Sequence, residues 1–127
     1  MTNDEDLLKQ ISKYDFYHRI RLNDRIVTPG INRAQIHKNL EAIKKLELKG
    51  KKILDIGCRD GIYSFEAEKM GAKEIIGIDN DISKPAVEFL IPFFNSKVKM
   101  VEMNLFDLKP ESFGMFDVII FPGTLYH

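Results

Sequence analysis

Asp55, Gly57, Gly61 and Asp79 are the residues whose types and spacing best suit ligand chemistry. They lie in KKILDIGCRDGIYSFEAEKMGAKEIIGID, from Lys51 to Asp79, which spells a strand, a glycine turn, a helix and a second strand ending in an acid. Glycines in such a turn let the backbone approach a ligand closely, and the helix that follows offers its amide-rich N-terminus. The pattern predicts a nucleotide-type binding unit.

The surrounding chain supplies elements to position that unit. Asp4 to Lys13 reads as a short helix capped by Asn3 or Thr2, with Leu7, Leu8 and Ile11 on one face. Tyr14 to Val27 alternates apolar and polar residues around an Asn23-Asp24 turn signal, which predicts a hairpin or extended arm. Thr28-Pro29-Gly30 stops it, and Asn32 is placed to cap a helix from Arg33 to about Leu48, burying Ile36, Leu40, Ile43 and Leu46, with Gly50 ending it. Strands at 52–57, 74–79, 98–103 and 116–121 then alternate with helices at 61–70, 83–95 and about 109–113. Alternation of this kind specifies a parallel α/β sheet with right-handed crossovers. The division expected is an N-terminal helical and hairpin arm, residues 1–32, and a ligand-binding unit, residues 33–127.

The last strand, Phe116 to Phe121, is apolar on both faces, as an interior strand should be. Only Pro122 to His127 follows it, so the expectation is a truncated version of a longer domain; the alternative is a minimal domain whose edge is covered by the N-terminal helices or a second copy.

Composition excludes several functions. At 127 residues, with 44% hydrophobic and 30% charged, the chain has the make-up of one globular domain. Nineteen basic residues balance nineteen acidic ones, so no global field draws it to nucleic acid or membrane. The single cysteine, Cys58, excludes an internal disulfide and gives no basis for a metal centre. No signal-type N-terminus and no run near the roughly 18 apolar residues of a membrane span is present, so a cytoplasmic location is expected. Cys58 beside a glycine turn reads as a packed thiol, Lys44, Lys45, Lys49, Lys51 and Lys52 as a solubilising helix end, and His37 as a solvated or interfacial residue.

The turn Asp55-x-Gly57-x-x-x-Gly61 resembles motif I of the class I S-adenosylmethionine-dependent methyltransferases, with Arg59 where the middle glycine would stand. The resemblance implies a Rossmann-like doubly wound sheet of order 3-2-1-4, Asp55 near the cofactor's methionine end, Gly57 making room for the ligand, and Asp79 on the ribose hydroxyls. A carboxylate is acceptor-only and can take a hydrogen bond from each hydroxyl. Cys58, Gly61 and Asn80 complete that part of the implied site. Met103-Asn104-Leu105 resembles the segment that contacts adenine, with Asn104 on the exocyclic amine and Leu105 giving an amide and an apolar wall. Phe116 to His127 resembles the fourth strand and its loop, which places Phe121 and Gly123 beside the methionine moiety and Tyr126 and His127 on the substrate side. His127 is the candidate base, since imidazole titrates near 6.5.

Tyr17-His18-Arg19-Ile20 with Thr28-Pro29-Gly30 further resembles methyltransferases related to the tRNA wobble-uridine carboxymethyltransferase. There Tyr17 and His18 would fold over the mouth of the site; a staple holding the arm on the first helix is the alternative. The implied activity is transfer of a methyl or modified methyl group to an acceptor that the sequence leaves open, a tRNA base or a small molecule. A nicotinamide-dependent oxidoreductase also has an acid about 20 residues after its glycine turn, but Arg59 crowds the place where pyrophosphate needs open amides. A non-catalytic partner subunit, or a homo-oligomer through the fourth-strand edge, completes the alternatives.

Overall fold

The computed structural model describes residues 3–121. Gly123, Tyr126 and His127 lie outside the described residues. Four parallel strands, β1 (Lys52–Ile56), β2 (Glu74–Asp79), β3 (Lys99–Glu102) and β4 (Val118–Ile120), form one sheet of order β3-β2-β1-β4. Ile53 pairs with Ile75 and with Val118, and Leu54 with Ile76 and Ile119. Side chains alternate across a strand, so Leu54, Ile56, Ile76 and Ile78 share one face, and Ile53, Asp55, Ile75 and Gly77 the other.

The strand order decides where the helices go. Steps from β1 to β2 and from β2 to β3 move in one direction, so right-handed crossovers lay α3 (Ile62–Lys69) and the helix after β2 on the same face. Helices α1 (Asp4–Ile11) and α2 (Ala34–Lys44) join them, and Leu7, Ile11, Ile43, Phe65, Phe89 and Ile53 form one buried core with Ile20, Leu22 and Ile26 of the arm. The return from β3 to β4 crosses the opposite face. There only a 3-10 turn (Leu105–Asp107) and α5 (Pro110–Phe113) accompany Met103, Leu108 and Phe116 over Leu54, Ile56, Ile76 and Ile78. The reversal between β1 and β4 is the topological switch point, and in open α/β sheets ligands bind there, outside the carboxyl ends of the strands.

Several expected boundaries move for physical reasons. Asn3 caps α1 through the Asp6 amide at 2.8 Å, as expected. Asn32 does not cap α2; its side-chain oxygen lies 2.5 Å from Nε2 of His37, and Arg33 stands at the cap without a side-chain bond. That helix ends at Lys44 because the chain must straighten to bury Leu48 (1% exposed), leaving Leu46 44% exposed and Gly50 in the turn before β1. The helix expected at 83–95 begins as a widened π-type turn, Ala86–Leu90, before α4 (Ile91–Phe94). Pro92 has no amide to give to the carbonyl four residues earlier, and the Ile91 amide reaches back five residues to Ala86. β4 forms an edge of the sheet among the described residues, as the order 3-2-1-4 expects, and Ile119 on its thinly covered face is 54% exposed.

Candidate cofactor site

The turn between β1 and α3 is built on the end of β2. The amides of Gly57 and Cys58 both donate to the Ile78 carbonyl, at 2.8 and 3.1 Å, and the Gly61 amide closes the turn on the Cys58 carbonyl at 2.8 Å. Gly57, Arg59 and Gly61 all take positive φ, 71°, 49° and 93°. Arg59 therefore adopts the left-handed conformation that glycine favours, which costs an L-residue about 1–2 kcal/mol. Its amide donates to Oδ2 of Asp79 at 3.0 Å, and its guanidinium sits 4.6 Å from the centre of the Tyr17 ring, so it is not the free loop cation its exposure suggests.

Gly57 and Asp79 have the geometry of ligand contacts. A Cβ built on Gly57 meets nothing within 4 Å, so the backbone there faces open space. Asp79 is half-buried at the tip of β2, its Oδ1 accepting the Asp81 amide at 3.2 Å, and each oxygen keeps a further lone pair for a ligand. Asn80 beside it is exposed.

Three other residues expected near the cofactor are buried. Asp55 is fully buried beneath the turn, where Oδ2 accepts the Ser64 hydroxyl at 2.7 Å and Oδ1 has no partner among the described residues. Burial, opposed by the Ser64 bonds, pushes its pKa up to about 7. Its position opposite Gly77 puts it on the helix-covered face, so it supports the turn from below and does not line the mouth. Cys58 is also fully buried, packed where a Cβ on Gly77 would come within 2.9 Å of its sulfur, and burial followed by the charge of Asp55 pushes its thiol far up. Gly61 is closed off, since a Cβ there would come 2.5 Å from Cε of Met100 and 3.2 Å from the Phe65 ring.

Beyond β3, Asn104 is exposed and its side-chain oxygen caps the 3-10 turn through the Phe106 amide at 2.9 Å. That oxygen keeps a second lone pair, so the cap leaves it free to accept a further hydrogen bond, and the Asn104 NH2 remains a donor. Leu105 and Phe121 are half-buried against the Leu54 and Ile78 face, at the same end of the sheet.

The arm meets the turn at Asp60, a residue that the sequence analysis assigned no role. Asp60, 3% exposed, accepts the Tyr17 and His18 amides on Oδ2 at 2.6 and 2.9 Å and the Ser83 hydroxyl on Oδ1 at 2.6 Å. No motif marks it, because its partners lie more than twenty residues away along the chain. His18 is buried, Nδ1 lies 3.4 Å from the Ile62 amide at the start of α3, and burial lowers its pKa to about 4. Tyr17 and His18 thus pack over the turn itself and not onto the first helix. A cavity of about 710 Å³ lies elsewhere, between the arm, α2 and α3, and holds none of the residues expected to bind cofactor. Among the described residues no His, Cys, Asp and Glu cluster is arranged to hold a metal, and no helix is long and apolar enough to cross a membrane.

The sheet order, the switch point and the acid at the end of β2 define a class I methyltransferase fold. The N-terminal domain of EvdMO1, solved in the presence of SAH and D-fucose, superposes with a TM-score of 0.71 over 94% of this chain and 52% of that one, at 14% identity. The ribosomal protein L11 methyltransferase (PrmA) family matches residues 36–120, and the chain belongs to that family. The tRNA U34 carboxymethyltransferase of Helicobacter pylori (strain G27) is 37% identical over 83 residues, which are 63% of this chain and 32% of that protein. The ribosomal protein L11 methyltransferase of Thermosipho melanesiensis is 35% identical over 112 residues, 82% of this chain and 42% of its own. The chain thus spans less than half the length of these curated relatives.

Proposed function

We propose that this chain is the cofactor-holding part of a methyltransferase, that it binds S-adenosylmethionine, and that it acts in the cytoplasm. The observation that carries this reading is the pairing of open space over Gly57 with the Asp79 carboxylate at the tip of β2. The residues fit the group. Asp79 would take the ribose hydroxyls, the Gly57 backbone would approach the methionine portion, and Leu105 with the Asn104 amide would flank adenine. The bound cofactor supplies an electrophilic methyl on a sulfonium; the chain's own residues bind, orient and exclude water.

Charge supports a cationic ligand over a dinucleotide. Asp60, Asp79 and Asp81 crowd the turn, and the Arg59 guanidinium beside them is turned onto Tyr17. A pyrophosphate would face those carboxylates, whereas a sulfonium and an ammonium are favoured by them. The relatives named for tRNA and for ribosomal protein L11 support a macromolecular acceptor, a tRNA base or a ribosomal protein, over a small metabolite. The open edge of β4 among the described residues supports pairing there with a further strand, from a second copy or a longer chain. Thermal unfolding tests the cofactor: S-adenosylhomocysteine should raise the Tm and NADH should not, and a rise with NADH alone would refute the reading.

A further inference from the structure

The arm explains a motif that cofactor binding leaves unused. Thr28 Oγ1 donates to the His18 carbonyl at 2.7 Å and accepts the Ile20 amide at 2.8 Å, and the Ile31 amide donates to the Tyr17 carbonyl at 2.9 Å. Residue 30 passes so close to His18 that a Cβ there would stand 2.1 Å from its carbonyl carbon, which only glycine avoids. Thr28-Pro29-Gly30 therefore braces residues 17–31 into a closed strap. The strap is fastened to the turn at Asp60, whose carboxylate takes two arm amides on one oxygen and Ser83 on the other. Ser83 in turn accepts the Ala86 amide at 3.1 Å, which ties in the helix after β2.

We infer that this strap clamps the cofactor turn and that Asp60 is a positioning residue for the adenosyl-sulfonium ligand. Asp60 is buried and touches no ligand; it acts through its neighbour Arg59, whose amide engages Asp79 and whose guanidinium rests on Tyr17 of the strap. His18 adds a second tie at the first amide of α3. With Asp60 removed, the two arm amides and Ser83 lose a common acceptor, and the turn loses its tie to the strap segment on which the Arg59 guanidinium rests. An asparagine can present one oxygen to the arm amides and an NH2 to Ser83, so it restores much of the arrangement.

The inference rests on the cofactor reading, and the test separates the two. Titration calorimetry with S-adenosylhomocysteine is run on the whole chain, on Asp60→Ala, on Asp60→Asn, and on Ile43→Ala as a core variant of lowered stability away from the turn. Amide exchange at residues 17 and 18 is read on each. Asp60→Ala should bind at least ten-fold more weakly than Ile43→Ala and lose amide protection in the strap, and Asp60→Asn should recover most of both. If Asp60→Ala fails to fold, a several-fold loss in Ser83→Ala carries the same expectation. Affinity in these variants equal to that of Ile43→Ala overturns the inference. No heat with the unaltered chain refutes the cofactor reading instead, and the strap is then judged by exchange alone, unchanged protection in Asp60→Ala overturning it.

Discussion

The backbone amide of Arg59 donates to Oδ2 of Asp79 at 3.0 Å, joining the glycine turn to the end of the next strand across twenty residues of sequence. The acid proposed to hold a ribose therefore also shapes the turn. Asp79→Ala leaves that amide without its acceptor and should cost about 1–2 kcal/mol of stability. Asp79→Asn keeps one acceptor and should cost less, and urea unfolding reads the difference. Equal losses would detach the turn's shape from this bond.

Gly57 and Gly61 make opposite demands. Gly57→Ala adds a methyl to open space and costs only the strain of positive φ, about 1 kcal/mol, but fills the approach of a ligand. Gly61→Ala carries the same strain and pushes on Met100 and Phe65, for a loss of about 2–3 kcal/mol. Urea unfolding with S-adenosylhomocysteine titration should show affinity lost mainly in the first and stability lost mainly in the second.

His18 makes the strap sensitive to acid. Its folded pKa of about 4 lies below the ordinary 6.5, so folding favours the neutral ring. The stability this contributes is full above about pH 6.5 and is lost as pH falls toward 4, up to about 3 kcal/mol. The stability difference between the unaltered chain and His18→Asn, followed by thermal unfolding, should shift by that amount across the window. A flat difference from pH 7 to 4 would show that the ring is not buried as described.

Asp55 has the opposite sign. Its folded pKa is raised from 3.8 to about 7, so folding favours the protonated acid, and stability falls as pH rises from about 4 through 7. The loss is about 4 kcal/mol at most. Asp55→Asn removes the charge, and its stability relative to the unaltered chain should rise over that range. The same unfolding series read at pH 5 and pH 8 checks it.

The sheet was legible because its strands are short apolar runs bounded by glycine and acid, and 74–79 coincides with β2. The places of Gly57 in a tight turn and Asp79 at a strand end were legible for the same reason, as both are local patterns. A residue inside the motif need not face the mouth: strand alternation sends Asp55 under α3, and the missing side chain of Gly77 draws Cys58 inward, in keeping with its reading as a packed thiol. The end of α2 depended on whether Leu46 or Leu48 reaches the core, which helical spacing cannot decide. Asp60 was hidden because its meaning comes from Tyr17, His18 and Ser83, brought to it only by the fold.

The central claim is that this turn and Asp79 hold an adenosyl-sulfonium cofactor, and calorimetry with S-adenosylhomocysteine on the unaltered chain and on Asp79→Ala tests it most directly. The account predicts saturable heat with one site for the unaltered chain and at least ten-fold weaker binding for Asp79→Ala. Equal affinity in both, or no heat in either, would contradict it.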